Sequence, residues 1–113
     1  MADYRLQWTT LARTDFLEIV QRIADEAPLN APRVVRRILR TAAGLRTFPR
    51  RCREVPEHQD RDSLEIREAI VAPWRIMYLL ESDTIRIIAV VDGRRNLYQW
   101  LPERLLRMAR EGQ

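Results

Sequence analysis

Lysine is absent from this 113-residue chain, and all twenty of its basic residues are arginine. Such a set has two readings: the codon usage of a GC-rich genome, or selection for bidentate binding of phosphate or carboxylate, which arginine's planar fork suits better than an ammonium. Cysteine occurs once, at Cys52, which excludes an internal disulfide and a thiolate metal site. Histidine occurs once, at His58, in a polar stretch. The three glycines, Gly44, Gly93 and Gly112, form no phosphate-cradling loop. No apolar run approaches the ~18 residues of a membrane-spanning helix. Met1 to Trp8 lacks the charged head and apolar stretch of an export signal, so a cytoplasmic location is expected. No cluster reads as metal ligands, and no cofactor is expected.

What is present is a globular composition, with 46% hydrophobic and 32% charged residues, expected to form one domain over residues 1–113. The formal net charge of +4 fits an acidic partner and is modest for a nucleic-acid binder.

Tyr4 to Trp8 alternates apolar and polar, the period of a half-buried strand. Thr9 or Thr10 then suits a helix cap, and Ala12, Phe16, Ile19, Val20, Ile23 and Ala27 form one apolar stripe until Pro28 ends it. A second helix is expected from Asn30, with Pro32 in its first turn and Val34, Val35, Ile38, Leu39, Ala42 and Leu45 as its stripe. The short connection makes the two an antiparallel hairpin. Arg33, Arg36, Arg37 and Arg40 line the opposite face, which has two readings: contact with phosphate or an acidic partner, or a solvated face paired with Asp15, Glu18 or Glu26. Thr47 to Ser63 has no clean period and reads as a long loop, with a short extended piece at Cys52 to Val55. Three strands follow: Leu64 to Val71, Trp74 to Leu80, and Thr84 to Val91, the last two joined by a turn at Glu81 to Asp83. The third is apolar on both faces and must be covered on both. Asp92-Gly93 is a turn, and Pro102 marks the start of a short helix with Leu105, Met108 and Ala109. The expected fold class is α+β: a twisted, mostly antiparallel sheet with an N-terminal strand, a helical hairpin on one face, three C-terminal strands and a short C-terminal helix.

The chemistry on offer is narrow. Cys52 with His58, or His58 with Ser63 or Ser82, can be drawn as nucleophile pairs, but no motif positions either. The C-terminal half instead gathers arginines (Arg67, Arg75, Arg94, Arg95) with aromatics (Trp74, Tyr78, Tyr98, Trp100). Arginines beside stacking rings can hold RNA, and a metal-free ribonuclease also needs an acid and a base. Guanidinium is a poor base, and Tyr98 serves only with a strongly lowered pKa. The competing readings are core packing for Trp74 and Tyr78, and ion pairs of Arg67 and Arg75 with Glu68, Glu65 or Glu57.

From Pro49 onward the order of short motifs carries a resemblance: Arg53-Glu54-Val55-Pro56-Glu57, Ile66-Arg67-Glu68, Pro73-Trp74-Arg75-Ile76-Met77-Tyr78, Ile85-Arg86-Ile87 and Gly93-Arg94-Arg95. This pattern resembles the ParE/RelE toxins of type II toxin–antitoxin systems, and the strand with Trp8 followed by two helices matches in plan. The resemblance implies a RelE-like fold and a cognate antitoxin whose acidic, partly helical C-terminal segment wraps the toxin in a hetero-oligomer. It also implies one of two targets: DNA gyrase, bound and poisoned as by the ParE branch, or mRNA in the ribosome, cut as by the RelE branch.

The departures favour the first. Trp74 stands where the family usually has tyrosine, and Asp92 where histidine often precedes Gly-Arg-Arg. The lysines of the RelE-like ribonucleases are missing; Ile66 and Glu68 occupy that strand. Arg75 and Arg95 match arginines those enzymes use, while Tyr98 is out of register. A ribonuclease would therefore rest on Arg75, Arg95 and Tyr98. The expected mode is binding without catalysis, with Arg67, Arg94, Arg95 and Trp100 as the target-binding set.

Overall fold

The computed structural model describes residues 3–58 and 64–111. The order is β1 (Arg5–Trp8), α1 (Thr10–Glu26), α2 (Ala31–Gly44), a single 3-10 turn at Pro49–Arg51, β2 (Arg53–Glu54), β3 (Glu65–Val71), β4 (Trp74–Glu81), β5 (Thr84–Asp92) and α3 (Trp100–Arg110). Five strands form one sheet in the order β1-β5-β4-β3-β2. β1 runs parallel to β5, with Trp8 opposite Ile87, and every other pairing is antiparallel.

The α+β architecture expected above is the one observed, and its local differences have physical causes. α1 begins two residues before its first expected stripe position, because the Thr9 hydroxyl accepts a hydrogen bond from the Ala12 amide and caps the helix there. Asn30 precedes α2 but makes no side-chain cap; Pro32 sits in the first turn, where its missing N–H costs nothing. Leu39, expected on the buried stripe, is 44% exposed at the stripe's margin. α3 starts at Trp100, two residues ahead of Pro102, with the Leu101 amide bonded to the Leu97 carbonyl. The extended piece expected within the long loop is β2, two residues paired with Glu68 and Arg67. Residues 59–63 of that loop, with Ser63, lie outside the described residues.

The sheet has a core on each face. Ile76, Tyr78 and Leu80 of β4 and Ile85, Ile87 and Val90 of β5 pack with Ile19, Val34, Ile38 and Ala42 of the helical hairpin. Met77, Leu79, Ile88, Ala89 and Val91 point the other way and pack with Leu97, Leu101 and Met108 at α3. One slip in the β4–β5 register makes this possible. Tyr78 opposes Ile87 and Met77 opposes Ala89, so Ile88 is an extra residue and both Ile88 and Ala89 face the second core. β5 is thereby covered on both faces, as its unbroken apolar run requires.

Tyr78 is fully buried in the first core and its hydroxyl donates to the Pro49 carbonyl. That bond ties the entrance of the β2 segment to the sheet. Burial, with Cys52 beside it, holds this hydroxyl protonated far above the ordinary tyrosine range. Tyr78→Phe leaves the buried Pro49 carbonyl without its donor and is expected to cost about 1–3 kcal/mol. The readout is a lower urea midpoint at unchanged slope; an unchanged midpoint would show that the bond adds nothing.

Candidate functional site

β1 accompanies β5 only as far as Ile87, which leaves the same edge of β5 without a strand neighbour from Ile88 onward. Buried backbone polar groups need partners, and here side chains supply them. The Thr9 amide and hydroxyl both donate to the Ile87 carbonyl. Arg104 Nη1 donates to the Ile88 carbonyl at 2.9 Å, and the Val90 amide donates to Asp15 Oδ2 at 3.1 Å. Arg104 and Asp15 are themselves joined by two parallel bonds of 2.7 and 3.0 Å. Asp15 comes from α1 and Arg104 from α3, so one bidentate pair ties both helices to the strand edge.

Above this pair lies a cleft of about 350 Å³ between α1, the end of β5 and α3. The half-buried rings of Trp74 and Trp100 line it, and the Arg104 guanidinium lies 4.6 Å from the centre of the Trp100 ring. Glu18, Arg22, Arg95 and Arg107 also line it, and Arg107 is paired with Glu111. The Arg95 side chain makes no hydrogen bond or ion pair among the described residues, while its amide donates to the Asp92 carbonyl. With indole faces, free cationic capacity and a water-poor floor, the cleft suits an anionic group attached to an apolar or aromatic body.

A second polar cluster sits at the other side of the sheet. Arg75 is 5% exposed; it donates to both oxygens of Glu57, at 2.9 and 2.6 Å, and through Nε to Glu68 at 2.7 Å. Glu68 is fully buried in the side chain and also accepts from Arg53. Gly93 lets the chain pass over this arginine: a Cβ there would stand 2.5 Å from Arg75 Cδ. A side chain pinned by two carboxylates cannot retreat, so the glycine of the Gly-Arg-Arg motif is a packing requirement.

The four residues expected to bind a target are not brought together. Arg95 and Trp100 share the cleft. Arg94 is solvent-exposed beside it but folded back on Asp92, with bonds of 2.9 and 2.6 Å. Arg67 belongs elsewhere, held by Glu65 at 2.8 Å and by the Cys52 carbonyl. The ion-pair reading thus describes both Arg67 and Arg75. Tyr98 is 58% exposed, in the segment leading to α3. Cys52 and His58 have different surroundings: Cys52 packs against the first core, and buried His58 bonds the Leu64 carbonyl through Nε2. Ser82 lies in the β4–β5 turn at φ 44°. Among the described residues no group of three or more His, Cys, Asp or Glu is placed to hold a metal ion. No helix among them is long and apolar enough to cross a membrane.

Sequence reasoning missed Asp15 and Arg104, although a signal existed. Asp15 falls between Leu11 and Ile19 at spacings of four, and Arg104 between Leu101 and Met108 at spacings of three and four. A charge set within an apolar stripe marks a buried, partnered group.

Sheet order, helical hairpin and cleft together define a small α+β protein of the RelE/ParE type. The chain belongs to the ParE toxin family: the model described as the ParE toxin of the type II toxin–antitoxin system parDE matches residues 6–97. A solved structure titled "Chromosomal ParDE TA system from P. aeruginosa" superposes with a TM-score of 0.63 at 17% identity, covering 79% of this chain and 95% of that one. No curated protein matches.

Two predictions rest on these clusters. Arg104→Ala strands the Asp15 carboxylate in a mostly dry site and is expected to cost about 3–5 kcal/mol. Removing both charges with Asp15→Asn and Arg104→Met should cost less than the sum of the single losses; additive losses in denaturant unfolding would sink the pairing. The second concerns acid. Hydrogen bonding from Arg75 holds the Glu57 carboxyl below its ordinary 4.5. A depressed folded-state value gives stability that is full above about pH 4.5 and lost as pH falls through the lowered value. Melting midpoints measured from pH 6 to pH 3 should therefore fall in the native chain and fall less in Glu57→Gln. Equal slopes would exclude Glu57 as a source.

Proposed function

We propose that this chain is a toxin that binds and poisons DNA gyrase in the cytoplasm, and that a cognate antitoxin holds it inactive. The observation that carries this is the state of Arg75. A ribonuclease of this fold would use that arginine on phosphate, yet here each of its three nitrogens is engaged by Glu57 or Glu68 in a buried network. Asp92 supports the same reading. It replaces the histidine of the acid/base position, and Arg94 holds its carboxyl down to about 2, so it carries no proton to donate at neutral pH. What remains open to a partner is a binding surface, the cleft with Arg95, Trp74 and Trp100.

The antitoxin is proposed by family and by the ParDE system named in the related structure's title. An acidic, partly helical segment is the complement to a +4 toxin, and the pair is expected as a hetero-oligomer.

Purified toxin added to gyrase with supercoiled and relaxed plasmid is the test. The expected result is loss of supercoiling with accumulation of cleaved DNA, reversed by antitoxin. Arg95→Ala and Trp100→Ala should each raise the inhibitory concentration roughly tenfold, the scale of one lost interface anchor. Untouched gyrase, together with discrete cuts in translated mRNA by primer extension, would replace this reading with the ribonuclease one.

A further inference from the structure

The solvent face of α2 carries Arg33, Arg36, Arg37 and Arg40, all exposed. The carboxylates expected to neutralise them do not. Of Asp15, Glu18 and Glu26, the first is committed to Arg104, and none of the four arginine side chains makes a hydrogen bond or ion pair among the described residues. α2 has no acidic residue of its own. The formal net charge is +4, and without these four arginines the remaining sixteen balance the sixteen acidic residues.

Helical geometry makes the four a narrow ridge. At 100° and 1.5 Å per residue they span about 100° of arc and about 10 Å of axis. They lie opposite Val34, Ile38 and Ala42, which anchor α2 in the first core. The ridge is therefore convex, rigidly mounted and uniformly cationic.

Three partner classes carry enough negative charge, and the residue types separate them. Single-stranded RNA is held by aromatic platforms on which bases stack, and α2 contains no aromatic residue. An acidic protein surface would need an apolar or aromatic anchor at the centre of the contact. The one large exposed apolar side chain of α2, Leu39, lies about 60° outside the arc. Duplex DNA needs neither. It offers one phosphate charge per about 1.7 Å of axis, and its grooves admit a helix. We infer that the α2 arginine ridge is a sequence-independent docking surface for the phosphate backbone of duplex DNA. This does not rest on the gyrase reading, and neither stands or falls with the other.

The test uses the purified full chain and a fluorescent 20-bp duplex of arbitrary sequence, with anisotropy followed from 50 to 200 mM salt. Binding is expected at about 1–100 µM at the low end, the range of non-specific contacts. The logarithmic salt slope should be near −3.6 for about four phosphates. Arg36→Gln with Arg37→Gln should weaken binding at least tenfold and reduce the slope by about two. Arg13→Gln with Arg110→Gln removes the same charge from exposed sites off α2 and should stay within about twofold. Circular dichroism confirms that both variants are folded. Four outcomes overturn the proposal. They are no binding at 100 µM, equal weakening by the two variants, a single-stranded RNA 20-mer bound more tightly than the duplex, and a ridge variant that loses a polyglutamate peptide but keeps DNA.

Discussion

The structure turns on an incomplete strand edge. β5 is an interior strand of the sheet, between β1 and β4, yet β1 covers its flank only to Ile87. Beyond that point the Ile88 carbonyl and the Val90 amide are buried with no ladder to join. An unsatisfied buried backbone group costs about 1–3 kcal/mol, so the fold needs substitutes for a strand. Asp15 and Arg104 are those substitutes. Because one arises from α1 and the other from α3, satisfying the edge also fixes where both helices lie. The cleft is the space left between two helices that must meet at one strand and cannot merge. Its geometry is a by-product of backbone hydrogen bonding, and side chains such as Arg95 and Trp100 inherit their positions from it.

The opposite edge is handled by different chemistry with a similar result. β2 is two residues long, too short to anchor itself, and its arginine, Arg53, reaches the buried Glu68. Glu68 would be costly alone; Arg75 completes the network and passes the second half of its fork to Glu57 in the loop. Glu68 thus makes Arg75 part of a structural tie between β3, β4 and the loop.

How much of this the residues announced depends on the range of the interaction. Periodicity reports which face of an element is buried, so β3, β4 and β5 were legible to within a residue at each end, and the two-faced burial of β5 followed from its unbroken apolar run. The slip at Ile88 was not legible, since Ile87, Ile88, Ala89 and Val90 look alike whichever way they point. Nor was α3's place on the second face, because a short amphipathic helix fits either core. Among the site residues, Arg67 and Arg75 had named carboxylates nearby in sequence or strand register, and those pairings formed. Asp15 with Arg104 did not announce itself, being 89 positions apart. The expected neutralisation of the α2 arginines failed for the same reason: Asp15, one of their presumed partners, was claimed from the far end of the chain.

Lysine's absence can now be weighed position by position. Arg104 donates in two directions from Nη1 and in a third from Nη2, while its face meets the Trp100 ring. Arg75 bridges two carboxylates with three of its nitrogens, and Arg67 joins Glu65 to the Cys52 carbonyl. An ammonium, with three donors on one atom and a stronger hold on water, reproduces none of these spans. At these buried places the fork is a structural necessity. On the outer face of α2 no contact among the described residues uses it. Four adjacent cations that folding does not use still repel one another, by a few tenths of a kcal/mol per pair on a helix surface. The chain thus carries on α2 a small stability cost that no contact among the described residues offsets. A ridge of that kind gains from an anionic partner twice, through the new contacts and through the relief of its own repulsion.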